Sequence, residues 1–240
     1  MGDPRMAPLV VLDKQKALAR VPIFTQLSEA EIGGLAEITA TKRLKSREVL
    51  FRKGDEGSQA YVILSGRLKV TAAGEEGKET VLRIMDPGEV LGEMALLDGE
   101  PRSATLTALE RVELLVLQRR DLLPFLEKHP KIAVKLLQSI SARLRSISAT
   151  LEDRVFLNLP NRLARKLLAL HDNYGKREDG AVRIDLKVSQ GDLGEMVGTS
   201  RESINKQLRT WTDEKVAVHE KGYITLLDLD KLEELAGYML

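Results

Sequence analysis

Between Pro130 and Phe156 no further proline and no glycine interrupts the chain, and Ala133, Leu137, Ile140, Leu144, Ile147 and Leu151 recur at alternating steps of four and three. A stretch of this kind has one good solution, a long helix carrying a heptad seam. Such a seam is buried best against an identical one, so the spacing predicts a parallel contact between two copies of the chain. A lone amphipathic helix covering the preceding domain is the alternative. The helix divides two textures, and the chain parses into an N-terminal arm and β-rich domain over 1–128, the long helix over 129–158 and a second domain over 159–240.

From about Thr39 to Leu117 short β-rich runs follow one another: Val49–Phe51, Ala60–Leu64, Arg67–Thr71, Thr80–Met85 and Val112–Leu117. Gly54-Asp55-Glu56-Gly57, Ser65-Gly66, Ala73-Gly74-Glu75-Glu76-Gly77 and Asp86-Pro87-Gly88 separate them and supply the backbone conformations of tight reversals. An antiparallel sandwich or jelly-roll is expected. Ahead of it, residues 1 to about 12 read as an arm without period, Leu12–Leu18 as a short helix, and Leu27–Glu31 as the start of another, with Ser28 as cap and Glu31 three residues later. His129, His171 and His219 all fall outside the β-rich region, so no metal or haem site is expected within it.

One string inside the roll carries chemistry. Gly92-Glu93 lets the backbone approach a ligand while a carboxylate accepts hydroxyl hydrogens, and Met94-Ala95-Leu96-Leu97 behind it has the length of one helical turn, whose free N–H groups favour a phosphate. Asp98-Gly99-Glu100-Pro101 then reverses the chain and delivers Arg102 and Ser103 side by side, ahead of Ala104. A guanidinium fork and a hydroxyl together suit a singly charged phosphodiester.

Lys and Arg number 37 against 36 Asp and Glu, a formal net charge of +1, so any contact with nucleic acid has to come from a local cluster. Absence of cysteine excludes disulfides, thiolate catalysis and zinc-finger sites. No apolar run approaches the ~18 residues of a membrane span, and the N-terminus lacks a signal-peptide core, so a soluble cytoplasmic protein without membrane association is expected. An enzyme would need a nucleophile with its base, or a metal cluster; neither is legible, and no catalytic residue, metal or cofactor is assigned.

After Leu157-Asn158-Leu159-Pro160, which breaks the long helix and reads as a hinge, Asn161–Leu170 is amphipathic and Tyr174–Gly180 reads as a polar loop. Ser189 caps a short helix to Val197, Gly198-Thr199-Ser200 makes a tight turn, and Arg201–Trp211 forms a second helix: the spacing of a helix-turn-helix. Ile204, Leu208 and Trp211 should face inward, leaving Ser200, Arg201, Glu202, Asn205, Lys206 and Arg209 outside. Arginine reads guanine, glutamate accepts from the cytosine amino group, and Lys206 reaches a further guanine or a phosphate. Val216–Leu226 reads as a β-hairpin wing and Leu229–Leu240 as a closing helix.

The string from Gly92 to Ala104, including Pro101-Arg102-Ser103-Ala104, resembles the phosphate-binding cassette of the catabolite-activator (CRP/FNR) family, and the likeness runs on through the long helix and the helix-turn-helix, from about residue 20 to about residue 226. The resemblance implies an α+β chain: an antiparallel β-roll for a cyclic nucleotide, a long dimerisation helix, and a winged helix-turn-helix. It implies cAMP as effector, a nucleotide site of Met85, Gly92, Glu93, Met94, Arg102, Ser103, Ala104, Arg143 and Ser148, and a DNA site of Gln190, Ser200, Arg201, Glu202, Lys206 and Arg209. Its partners would be a second copy, RNA polymerase, and a palindromic duplex with half-sites similar to TGTGA. Two departures stand out. Ile147 occupies a position where cAMP receptors of the family carry a hydroxyl that reads the base amino group, and Lys206 replaces the commoner arginine. The first keeps open another effector, cyclic di-GMP or a metabolite, or none.

Overall fold

The computed structural model describes residues 14–73, 79–178 and 180–237. The N-terminal arm, the centre of the turn expected at 73–77 and the last three residues of the closing helix lie outside the described residues. Residues up to Val70 together with Ile84–Ser141 form one compact unit, and Thr71–Arg83 with Ala142 onward the other.

The first unit opens with α1 (Lys14–Ala19) and α2 (Glu29–Glu37). Ser28 caps α2 as its sequence requires: the Glu31 N–H donates to Ser28 Oγ at 3.4 Å and the Ser28 N–H to Glu31 Oε2 at 2.7 Å, so two otherwise orphaned donors are satisfied reciprocally. Eight strands follow along the chain among the described residues, with β4 and β5 running into the Thr71–Arg83 segment of the second unit: β1 (Thr39–Leu44), β2 (Val49–Phe51), β3 (Gln59–Ser65), β4 (Leu68–Ala73), β5 (Glu79–Met85), β6 (Val90–Leu91), β7 (Thr105–Ala108) and β8 (Val112–Gln118), with the short helix α3 (Glu93–Asp98) between β6 and β7. They make two four-stranded sheets, ordered β1-β8-β3-β6 and β2-β7-β4-β5.

Strand β8 shows why its sequence is a continuous apolar run. It pairs antiparallel with β1 on one side and β3 on the other, and both of its faces are covered. Leu114 and Val116 enter the interior of the roll with Leu44, Tyr61 and Ile63, while Leu115 and Leu117 enter a second core with Leu18, Phe24, Leu35 and Leu122. That second core is closed by α4 (Arg119–Lys128) and by Ile132 and Leu136 of α5 (Pro130–Phe156). The three strands not singled out from the sequence, β1, β6 and β7, are short or polar. Thr39–Leu44 exists because its backbone completes the edge of β8 in a register from Thr39↔Leu117 to Leu44↔Val112.

Helix α5 keeps the expected bounds. Of its heptad positions, Ala133 packs against the second core, whereas Leu137, Leu144 and Leu151 are 59%, 64% and 58% exposed and Ile147 is exposed as well. Val155, beside the seam one helical turn after Leu151, is also exposed.

In the second unit α6 (Leu159–Tyr174) starts at the expected break, with the Asn161 N–H donating to the Asn158 side chain at 3.1 Å and Pro160 in the first turn, where its missing N–H costs nothing. Strands β9 (Gly175–Glu178) and β10 (Ala181–Ile184), helices α7 (Gln190–Val197) and α8 (Arg201–Asp213), strands β11 (Ala217–Glu220) and β12 (Tyr223–Leu226), and α9 (Leu229–Ala236) complete it, with a sheet ordered β11-β12-β10-β9. The polar loop expected at 174–180 is therefore half of a hairpin: β9 pairs with β10 from Gly175↔Ile184 to Ala181↔Glu178. All four β9 residues are exposed, so its side chains carry no apolar alternation and the strand is held by its backbone.

Candidate functional site

The candidate ligand site is built around Arg102, which is 5% exposed. Its backbone is pinned to the turn after β2: the Arg102 N–H donates to Asp55 O at 2.9 Å and the Gly54 N–H to Arg102 O at 2.8 Å. The guanidinium then runs into the roll. Nη1 donates to Gly92 O and Nη2 to Gln59 O, each at 2.7 Å, and Cζ lies 4.2 Å from the centroid of the Phe51 ring. The Tyr61 ring lies 5.8 Å from Cζ and 6.1 Å from the Phe51 ring, and its hydroxyl donates to Gln59 Oε1 at 2.8 Å. Burial pulls the Arg102 pKa down, opposed by Tyr61 and by the carboxylates of Glu93 and Asp55; a guanidinium nevertheless keeps its proton at cellular pH, so the outcome is a desolvated positive charge. Burial also raises the Tyr61 pKa, so its hydroxyl stays protonated.

Nε of Arg102 has no hydrogen-bond partner among the described residues. A buried donor left unpaired costs about 1–3 kcal/mol, and a guanidinium edge is the group that two phosphate oxygens match. Glu93 is 2% exposed, the first residue of α3, and one of the charges that favour the Arg102 cation. Gly92, at φ 73°, must lack a side chain on two counts: the backbone is left-handed, and a Cβ would stand 2.6 Å from Arg102 Nη1. An acid and a cation, both withdrawn from water, thus sit at one end of the roll.

The other expected ligand residues are spread more widely. Ala104 and Met85 are buried, Met85 in the roll's interior. Met94 and Ser103 are exposed, with Ser103 Oγ 3.8 Å from Met94 Sδ, so Arg102 and Ser103, neighbours in sequence, have opposite environments. Arg143 and Ser148 belong to the segment of α5 in the second unit, where Arg143 is half-buried and Ser148 Oγ donates to Leu144 O at 3.1 Å.

Phe51, Gly57, Gln59 and Tyr61 escaped the sequence reading. Gly57 carries the clearest signal in retrospect, a second glycine in a four-residue turn: a Cβ there would lie 2.7 Å from Arg102 Nε and 2.8 Å from Ala95 Cβ. Gly57→Ala is accordingly expected to destabilise the roll by about 1–3 kcal/mol through overpacking, read as a lower urea midpoint. An unchanged midpoint would mean that the turn yields at no cost.

The second candidate surface is the helix-turn-helix. Ser189 and Asp192 form a capping box at α7, Gly198 ends that helix in the left-handed region, and Ser200 caps α8 by accepting the Ser203 N–H at 3.2 Å. Gly194 allows the two helices to meet, since a Cβ would stand 2.8 Å from Thr199 O. Ile204, Leu208 and Trp211 are buried, which leaves Ser200, Arg201, Glu202, Lys206 and Arg209 exposed on the other face; Asn205 and Gln190 are half-buried. Glu202 is held below the usual carboxylate range by its own backbone N–H, then by Ser200 and Arg201, so it offers acceptors only. Each histidine has a local partner: Glu31 for His129, Asp172 for His171 and Val188 O for His219.

The cyclic nucleotide-binding domain family matches residues 41–129, and the Crp-like helix-turn-helix domain family matches residues 161–235. The chain is 31% identical over 191 residues to the CRP-like cAMP-activated global transcriptional regulator of Mycobacterium tuberculosis, covering 80% of this chain and 85% of that protein. It is 30% identical over 215 residues to the cyclic AMP receptor protein of Thermus thermophilus, covering 90% and 96%. In fold it is similar to the c-di-GMP responsive global regulator CLP of Xanthomonas campestris, with a TM-score of 0.76 at 22% identity over 84% of this chain and 100% of that one. With a nucleotide-binding roll and a helix-turn-helix matched in one chain, and with that identity across most of its length, the protein belongs to the CRP/FNR family of transcription regulators.

Proposed function

We propose that the protein is a homodimeric, cAMP-controlled regulator that binds palindromic DNA with half-sites similar to TGTGA. The observation that carries the ligand half is the buried Arg102 cation with its unpaired Nε, beside buried Glu93. In this reading Arg102 and Ser103 hold the cyclic phosphate, with Gly92, Met94 and Ala104 around it, and Glu93 accepts a ribose hydroxyl. Met85, Arg143 and Ser148 complete the nucleotide's surroundings. Residues 1–128 are the effector domain, 129–158 the dimerisation helix and 159–240 the DNA-binding domain. The exposed leucines of α5 meet their counterparts in the second copy, and the two recognition helices enter successive major grooves, about 34 Å apart. Ligand shifts the equilibrium only through unequal affinity for the two arrangements of the dimer. RNA polymerase is the further partner through which such a regulator acts, and the cytoplasm is the compartment where DNA and nucleotide meet. No described helix is long and apolar enough to cross a membrane.

Ile147 favours one second reading, a different effector in the same roll, because an isoleucine cannot accept from an adenine amino group. Calorimetric titration of the full chain with cAMP, cGMP and cyclic di-GMP decides between them; heat with cyclic di-GMP alone would overturn the cAMP assignment.

On DNA, Arg201 and Glu202 specify sequence, with Gln190, Ser200 and Lys206 beside them and Arg209 as an anchor to phosphate. Arg201→Ala is expected to cost ~1–3 kcal/mol at a palindromic site and to flatten discrimination at one base pair per half-site, whereas Arg209→Ala weakens all sequences alike. Binding to single-base variants at fixed salt makes the comparison. Uniform weakening by Arg201→Ala would turn that residue into an anchor.

A further inference from the structure

The break between α5 and α6 looks from its sequence like the place where the chain bends. Three arginines span it. Arg162 Nη1 donates to Leu157 O at 2.7 Å, and its Nε donates to Val197 O at 3.0 Å, the last residue of α7. Arg165 Nη1 pairs with Asp153 at 2.5 Å, and its Nε donates to Ala236 O at 2.8 Å, the last residue of α9. Arg154 lies across Gly198, close enough that a Cβ there would meet its Nε at 2.9 Å, and donates to Glu195 O at 3.4 Å. The Leu157 N–H is itself bonded to Asp153 O at 3.0 Å, so the final turn of α5 is hydrogen-bonded to its end.

These bonds do more than fill space. The last carbonyls of a helix lack partners within it, and here the C-termini of α7 and α9 are satisfied by arginines whose other arms hold Leu157 and Asp153. Both arginines are forks, which a single ammonium could not replace. We propose that Arg162 and the Asp153–Arg165 pair are positioning residues that weld the final turn of α5 to the helix-turn-helix, so that a rotation of this turn reaches α7 and α8 undiminished. On this view the chain yields N-terminal to Asp153, and the Leu157–Asn158 step is a rigid corner. The inference rests on the ligand-coupled DNA binding proposed above and names the residues through which the coupling passes.

The test uses the full-length protein and its Asp153→Ala, Asp153→Glu, Arg162→Ala and Arg162→Lys variants. DNA affinity is measured with and without saturating cAMP on a duplex with two TGTGA-like half-sites, cAMP affinity by calorimetry, and backbone hydrogen exchange over residues 153–157. In the wild type cAMP raises DNA affinity. Asp153→Ala and Arg162→Ala cut that gain by about tenfold or more while cAMP affinity stays within about twofold, and Asp153→Glu restores most of it. Arg162→Lys, which can reach only one of the two carbonyls, falls between. Exchange at 153–157 is slow in the wild type and accelerates in Arg162→Ala, while residues 201–213 keep their protection. An unchanged gain in both alanine variants overturns the proposal, and so does a loss that Asp153→Glu fails to repair, since that is the mark of general damage. Should cAMP leave wild-type DNA affinity unchanged, the proposed function fails on its own, and exchange decides the weld: fast exchange at 153–157 in the wild type overturns it.

Discussion

Arg102→Ala is expected to lower affinity for the proposed effector, cAMP, by roughly ten- to a hundredfold, the equivalent of ~1.5–3 kcal/mol for a charge-assisted contact to a buried phosphate. The side chain is already in place and desolvated, so the protein rather than the ligand has met the cost of drying the cation. Truncation also strips Gly92 O and Gln59 O of their donors, so a loss of stability accompanies the loss of affinity. Arg102→Lys separates the two effects. A lysine keeps the charge but cannot bond both carbonyls and present a fork to the phosphate, so it should recover part of the affinity and little of the stability. Calorimetry on variants shown to be folded by circular dichroism is the measurement. An unchanged dissociation constant for Arg102→Ala would remove the residue from the phosphate site.

Leu144→Glu is expected to split the proposed dimer. Within a single copy Leu144 is 64% exposed, so a glutamate there meets water and the helix keeps its shape. Across a two-fold contact each glutamate would face apolar neighbours and, near the axis, its own counterpart. Loss of two leucines from an interface removes about 1.5–3 kcal/mol each, and burying unpaired carboxylates adds several more, enough to raise the dimer dissociation constant by well over a hundredfold. Sedimentation across a dilution series reads this directly. A dimer of unchanged affinity would place the contact elsewhere, and the exposed run from Leu137 to Val155 would then need another partner.

How much of this was legible in the residues differs by element. The helix starts were readable because capping is local: Ser28 with Glu31 and Ser189 with Asp192 are each three residues apart, and both boxes formed. The bounds of α5 were readable because proline opens it and nothing inside interrupts it. The wing was readable from its Lys221-Gly222 turn, where both residues adopt positive φ. Strand β9 was not, since a charged, fully exposed edge strand differs from a loop only in the backbone of its partner.

By itself, then, the sequence determined whatever depends on near neighbours or on period: the two textures, the long helix with its seam, the helix-turn-helix, and the glycine-acid and arginine-serine string. Tertiary structure decided what depends on distant chain segments meeting. Arg102 takes its carbonyl from Gln59, 43 residues away, and its aromatic face from Phe51. Val197 O takes its donor from Arg162, 35 residues earlier. Residue types alone cannot specify such pairings, because many arginines could serve each carbonyl and only closure of the roll and of the winged helix selects one. That selection turns Arg102 from a surface cation into a buried one, and it brings Arg162 and Arg165 across the break after α5.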